Sequence, residues 1–217
     1  MTEKFNKKSL IIGIISAWSS FSLLLIYIPV TIFGILTLKS PLDPISDPYF
    51  SIMELLILLI APFLVICMTV VYLHSKPKDK VFSLIALVFM IILAVITSSV
   101  HFIILTVSRQ IEAVEFSGVS FFFSFKWPSV VYALDILAWD WFFALSMIFA
   151  AQVFHGGRLE KSLRIVMILS GIISLLGLIG VPLANMNVRN IGIIGYTIVA
   201  AIAFFMMGIV FKRQSMK

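Results

Sequence analysis

The chain has a single cysteine and few charged residues. One thiol, Cys67, can form neither a disulfide within the chain nor a cysteine-based metal site. Charged residues make up 12% of the 217 positions, hydrophobic residues 61%, and the mean hydropathy is +1.15. Soluble domains carry about twice that share of charge. The composition therefore excludes an ordinary soluble domain and a disulfide scaffold, and it indicates a protein whose solvent is the lipid bilayer.

Six apolar stretches reach the length of about 20 residues that crosses the hydrocarbon core. We predict an all-α, polytopic integral membrane protein in which six transmembrane helices form one bundle and residues 1–217 form one domain. Membrane lipids are then the first expected partners. The predicted spans are Ser9–Leu38, Phe50–His74, Val81–Thr106, Ser129–Phe154, Ile165–Ala184 and Ile191–Phe211.

The basic residues fall mainly on one side of the predicted spans. The net charge of +6 could suggest a nucleic-acid partner, but its distribution indicates topology instead, so no nucleic acid is expected. Because cytoplasmic loops are rich in Lys and Arg, we predict cytoplasmic termini and a multi-pass protein of the cell membrane. The residues on the predicted cytoplasmic side are Lys4, Lys7, Lys8, Lys76, Lys78, Lys80, Arg158, Lys161, Arg164, Lys212, Arg213 and Lys217, and those on the other side are Lys39, Arg109, Lys126 and Arg189.

Three ionisable side chains lie at a similar depth inside the predicted spans. A carboxylate at bilayer depth costs about 3 kcal/mol, so such acids usually face a bundle interior, a partner or a water-filled cavity. Counted from the helix ends, His101 and Asp135 each lie about 10 Å below the outer surface, and Glu54 lies near the same level. We predict that these residues share an outward-facing polar pocket. One alternative is that His101 and Asp135 form only a structural polar contact between the third and fourth spans. Another is that Glu54 lies close enough to the interface to be solvated.

Other side chains recur at helical spacing around these groups. Ser98 lies one turn before His101, and Tyr132 and Trp139 share a face with Asp135 through steps of three and four. These polar and aromatic side chains suit the walls of a binding pocket. The predicted ligand-binding residues are therefore His101, Asp135, Glu54, Ser98, Tyr132 and Trp139.

Asp140 is a second acid in the fourth span, five residues after Asp135. Five residues rotate an α-helix by about 140°, so we expect Asp140 to point away from Asp135, along a stripe of alanines. Small residues allow close helix contact. We interpret Asp140 as a structural intramembrane acid.

The third loop, residues 116–127, gathers aromatic side chains next to the predicted pocket. Aromatic residues often form a belt at the level of the lipid headgroups, and a loop beside a pocket can also act as a lid. Both interpretations remain open from the sequence. The residues concerned are Phe116, Phe121, Phe122, Phe123, Phe125 and Trp127.

The chemistry of these residues favours binding over catalysis. The chain has three histidines, no H-E-x-x-H motif and no G-x-S-x-G motif, so we predict no metal and no cofactor, and catalytic residues stay unassigned. We expect the protein to bind or translocate a lipophilic or cationic small molecule, with a homo-oligomer or a membrane-protein partner also plausible. The alternatives are a membrane-embedded lipid-modifying hydrolase and an accessory subunit of a membrane complex.

The predicted topology can be tested by cysteine labelling in sealed cells. In a Cys67→Ala background, Ser46→Cys should react with an impermeant reagent added outside, because it precedes the second span on the predicted outer side. Lys78→Cys should not react until the cells are opened. Labelling of Lys78→Cys in sealed cells would reverse the orientation.

Overall fold

Six long helices dominate the structure. The computed structural model describes residues 2–38, 45–111 and 118–216, and these residues contain helices and no strand. All six helices are long and apolar enough to cross a membrane, which agrees with the predicted number of spans and supports a multi-pass membrane protein. They are α1 (Lys7–Leu36, with helix extending back to Thr2), α2 (Tyr49–His74), α3 (Pro77–Ser108), α4 (Val130–Ala151), α5 (Arg158–Gly180) and α6 (Met186–Ser215).

The α5 and α6 helices begin at least five residues before their predicted apolar spans. The α5 helix starts at Arg158 and not at Ile165, because its first two turns are charged but still helical. The α6 helix starts at Met186 and not at Ile191, because the Asn185 side chain accepts hydrogen bonds from the backbone N–H groups of Asn187 and Val188. Such a cap satisfies donors that have no partner within the helix. The earlier start places Arg189 on α6.

The helices pack in the order of the chain. Each helix contacts the next one, and α6 also packs against α1 and touches α4. Large side chains such as Phe143, Met147 and Phe204 are fully buried between them. Other large apolar side chains, including Ile15 and Leu59, are more than half exposed. A protein surrounded by lipid can leave such residues on its outer surface without the cost that water would impose.

Three helices contain a π-helical stretch, in which a turn holds an additional residue. These stretches are Ile104–Ser108 in α3, Leu137–Phe143 in α4 and Gly195–Val199 in α6. π-Bulges occur often at functional sites. They also change which side chains share a face, because residues five apart come onto the same side of the helix.

Glycines allow α5 and α6 to approach closely. A Cβ atom on Gly195 would lie 2.6 Å from the backbone nitrogen of Ser174 and 2.7 Å from the carbonyl oxygen of Ser170. The Ser170 hydroxyl donates to the Gly195 carbonyl at 2.8 Å. Small residues thus allow close helix packing at this contact.

We expect Gly195→Ala to destabilise the protein by about 1 to 3 kcal/mol, because the added methyl group has no room between two backbones. Thermal unfolding in detergent would measure the effect. Gly157→Ala is the matched control, since a Cβ there meets no atom within 4 Å. Equal unfolding temperatures for the two variants would contradict the close contact.

Candidate functional site

Five ionisable side chains form one buried cluster between four helices. Glu54 comes from α2, His101 from α3, Asp135 and Asp140 from α4, and Arg189 from α6. Their exposed fractions lie between 0% and 5%. Buried charges in proteins are almost always paired. The arrangement of these pairs therefore determines what the cluster can do.

The His101 ring lies between two carboxylates. Its Nδ1 atom is 2.5 Å from Glu54 Oε2, and its Nε2 atom is 3.2 Å from Asp135 Oδ1. The first contact is a hydrogen bond, whereas the second has the distance of an ion pair without the alignment of a hydrogen bond. The three side chains that were predicted to share a pocket therefore converge, and α3 and α4 are neighbours.

Arg189 joins the two aspartates of α4. Its Nη2 atom is 3.2 Å from Asp140 Oδ2 and 3.9 Å from Asp135 Oδ2. Arg189 was predicted to lie outside the spans on the outer side, and it was not among the predicted site residues. One signal was present: an acid near the middle of a span requires a cation, and Arg189 is the basic residue next to the last span.

The expected separation of Asp140 from Asp135 is wrong. The angle of about 140° holds for an α-helix, but α4 is π-helical over Leu137–Phe143. Residues five apart then lie near the same side, and both carboxylates contact Arg189. Asp140 does face small residues, as expected, since a Cβ added to Gly177 or Gly192 would collide with its Oδ1 atom.

Aromatic rings surround the guanidinium group. Arg189 Cζ lies 5.3 Å from the Tyr132 ring centroid and 6.0 Å from that of Tyr196. Trp139 stacks against Tyr196 at 5.2 Å and donates its indole N–H to Thr97 Oγ1 at 3.0 Å. Tyr132 and Trp139 thus lie at the cluster as predicted.

The neighbouring residues Thr97 and Ser98 differ in their burial. Ser98 is half-buried, and the hydroxyl that contacts the fourth helix belongs to Thr97, one residue earlier. Thr97 and Tyr196 were not among the predicted site residues. Neither had a distinctive sequence signal, because hydroxyl and aromatic side chains are common in apolar helices.

Phe125 covers the cluster at the end of the aromatic loop. Its ring lies 5.8 Å from His101, 5.0 Å from Tyr132 and 6.0 Å from Phe50. Phe121 and Phe122 of the same loop are exposed, as residues of an interfacial belt would be, and Phe116 lies outside the described residues. The polar cluster is therefore closed in this structure.

A groove lies on another part of the surface. It has a volume of about 460 Å³ and is formed by α1 and α2, away from the ionisable cluster. Its lining is mainly apolar and includes no carboxylate. The lining residues are Ile15, Trp18, Ser19, Ser22, Leu23 and Phe63.

An ion pair at the helix ends lies outside the membrane spans. Arg109 Nη2 is 3.1 Å from Asp47 Oδ2, and the Ser51 hydroxyl and backbone N–H both donate to Asp47 Oδ1. The Ser51 hydroxyl first, and the nearby Arg109 charge in addition, hold the pKa of Asp47 below its usual value. Asp47 is therefore ionised at neutral pH and serves below as a control carboxylate.

The other two histidines lie at the opposite helix ends. His74 Nε2 is 2.7 Å from the Ser9 hydroxyl, and His155 Nε2 is 3.4 Å from Asp79 Oδ1. Neither of these contacts involves a residue of the ionisable cluster. Among the described residues, no group of three or more His, Cys, Asp or Glu side chains has the arrangement of a metal site.

Comparisons with protein-family models, with curated proteins and with solved structures gave no match.

The Asp140–Arg189 pair should matter strongly for stability. We expect Arg189→Leu to cost about 3 to 5 kcal/mol, because it leaves a buried carboxylate without a cation. Thermal unfolding in detergent would measure this change. The double variant Asp140→Leu/Arg189→Leu should recover most of it, since both charges are then removed.

Arg109→Gln is the control for the loss of an arginine. Its side chain is 42% exposed, and exposed ion pairs contribute about 0 to 1 kcal/mol. If Arg189→Leu were no more destabilising than Arg109→Gln, the buried ion pair would be absent.

Proposed function

We propose that the protein binds or translocates a lipophilic monovalent cation and that Asp135 is the counter-ion. The observation that carries this proposal is the excess of acid in the buried cluster. Three carboxyl groups face one permanent cation, Arg189, and one histidine. The guanidinium group stays protonated in proteins, and its shortest ion pair is with Asp140.

The remaining triad consists of Glu54, His101 and Asp135. With both carboxyl groups ionised, its formal charge is −1 if the ring is protonated and −2 if the ring is neutral. An uncompensated buried charge costs several kcal/mol. A monovalent cation next to Asp135 would remove this cost.

The aromatic side chains support a cation that is also lipophilic. The aromatic faces of Tyr132 and Tyr196 already lie next to the Arg189 guanidinium group. Aromatic faces attract organic cations in general. Trp139 and Phe125 add apolar surface beside the carboxylates. Ligand sites of this kind combine mostly apolar walls with few polar groups.

The proposal includes the orientation of the protein in the cell membrane. Twelve of the sixteen basic residues lie on one side of the predicted spans, which supports cytoplasmic termini and a cluster near the outer surface. The contacts between successive helices and between α6 and α1 support one six-helix bundle that forms a single domain. Lipids are the partners proposed for the exposed apolar faces, and a second copy or another membrane protein would be a further partner.

A serine hydrolase receives less support from the same geometry. A catalytic histidine must present one ring nitrogen to the nucleophile. Both ring nitrogens of His101 face carboxylates, and the Ser99 hydroxyl donates to the Val95 carbonyl within its own helix.

Asp135→Asn should weaken binding of tetraphenylphosphonium, a permanent lipophilic cation, by at least about tenfold, or 1.4 kcal/mol. The change keeps the shape of the side chain and removes the charge that pairs with the ligand. Equilibrium binding to the purified protein in detergent would measure the affinity.

Two controls accompany this measurement. Asp47→Asn removes an exposed carboxylate at the same helix ends and should leave the affinity unchanged. Triphenylphosphine oxide, a neutral molecule of similar apolar character, should bind wild type and Asp135→Asn equally. Equal affinity of both proteins for tetraphenylphosphonium would overturn the proposed role of Asp135.

A further inference from the structure

We infer that the Glu54–His101–Asp135 triad exchanges one proton for each monovalent cation that it binds. This inference rests on the proposed function and adds the coupling ion to it. The protein would then be a proton-linked cation binder or exchanger. The positions that protons can take in the closed cluster determine this exchange.

The two ring nitrogens limit the protonation states of the triad. Nδ1 lies 2.5 Å from a Glu54 oxygen and Nε2 lies 3.2 Å from an Asp135 oxygen. A protonated ring carries an N–H on each side, which forms a hydrogen bond with Glu54 and an ion-pair contact with Asp135. A neutral ring has one acceptor nitrogen, which then requires a protonated carboxyl group opposite it.

Charge balance decides which state the closed cluster holds. A protonated ring between two carboxylates leaves a charge of −1 among side chains that are at most 5% exposed. One further proton on Glu54 or Asp135 makes the triad neutral and avoids the cost of a buried charge. The ligand-free cluster therefore keeps a protonated carboxyl group.

A monovalent cation provides the same single positive charge. With both the additional proton and the cation present, the triad would carry +1 and the cost of a buried charge would return. Binding therefore releases the proton: the carboxyl O–H bond breaks, its electron pair stays on the oxygen, and the proton passes to bulk water. The resulting carboxylate pairs with the cation, so charge and atoms balance.

Among the described residues around the triad, no other group supplies the positive charge that this proton supplies. Arg189 approaches Asp135 only at 3.9 Å and lies closer to Asp140, at 3.2 Å. The titratable neighbours are the phenols of Tyr27 on α1, Tyr132 on α4 and Tyr196 on α6, which are neutral at neutral pH. The α5 residue next to Asp140 is Gly177, which carries no charge.

Infrared difference spectroscopy tests the ligand-free state. The C=O stretch of a protonated carboxyl group should be present in the wild type at neutral pH and retained in Asp47→Asn. It should disappear in Glu54→Gln and Asp135→Asn, because each variant leaves the triad neutral without an additional proton. No such band in the wild type would overturn the inference, as would a band removed only by Asp140→Asn.

Proton release tests the exchange itself. Tetraphenylphosphonium added to the detergent-solubilised protein in weak buffer should release about one proton per bound cation, read with a pH-sensitive dye. Asp47→Asn should release the same amount, and triphenylphosphine oxide should release none. Glu54→Gln should bind the cation more weakly, because its triad is already neutral without an additional proton.

The outcomes separate the inference from the proposed function. Binding of tetraphenylphosphonium without proton release would overturn the exchange alone. No binding would overturn both the exchange and the proposed ligand class. Proton release by sodium chloride, without any by tetraphenylphosphonium, would support the exchange and replace the organic cation with an inorganic one.

Discussion

The ion pair between Asp140 and Arg189 is the interaction on which the arrangement around the cluster depends. Asp140 is completely buried, and its cation comes from a different helix. The backbones of α5 and α6 meet the carboxylate directly, because a Cβ on Gly177 or Gly192 would collide with it. A charged pair inside a membrane requires this fit, since water cannot enter to replace a missing partner.

The π-helical stretches give the helices the register that the cluster needs. In a regular α-helix, Asp135 and Asp140 would point about 140° apart. The additional residue per turn in Leu137–Phe143 brings them to the same side. A comparable stretch, Ile104–Ser108, directly follows the turn of α3 that carries His101. The backbone therefore departs from regular geometry where charged side chains must meet, as is common at functional sites.

The sequence was sufficient for the number of spans and for the convergence of Glu54, His101 and Asp135. The number of spans follows from the length of the apolar stretches. The convergence of the three side chains follows from their equal depth along the helices. Arg189 was missed because α6 begins at the Asn185 cap, before its apolar run. Asp140 was misplaced because a periodicity of 100° per residue cannot reveal a π-helical stretch. Both errors arise from backbone detail that hydropathy does not record.

In the proposed function, the closed state constrains how a cation reaches the triad. Phe125 covers His101, and hydrogen bonds hold the chain just before it: the Ser108 hydroxyl donates to the Phe123 carbonyl at 3.0 Å, and the Ser129 hydroxyl donates to the Ser124 carbonyl at 2.5 Å. Displacing the loop would break both bonds, whereas rotating one aromatic ring would break neither. Access by side-chain rotation therefore costs less than access by loop opening, and an apolar cation that enters in this way replaces the Phe125 ring in its contacts.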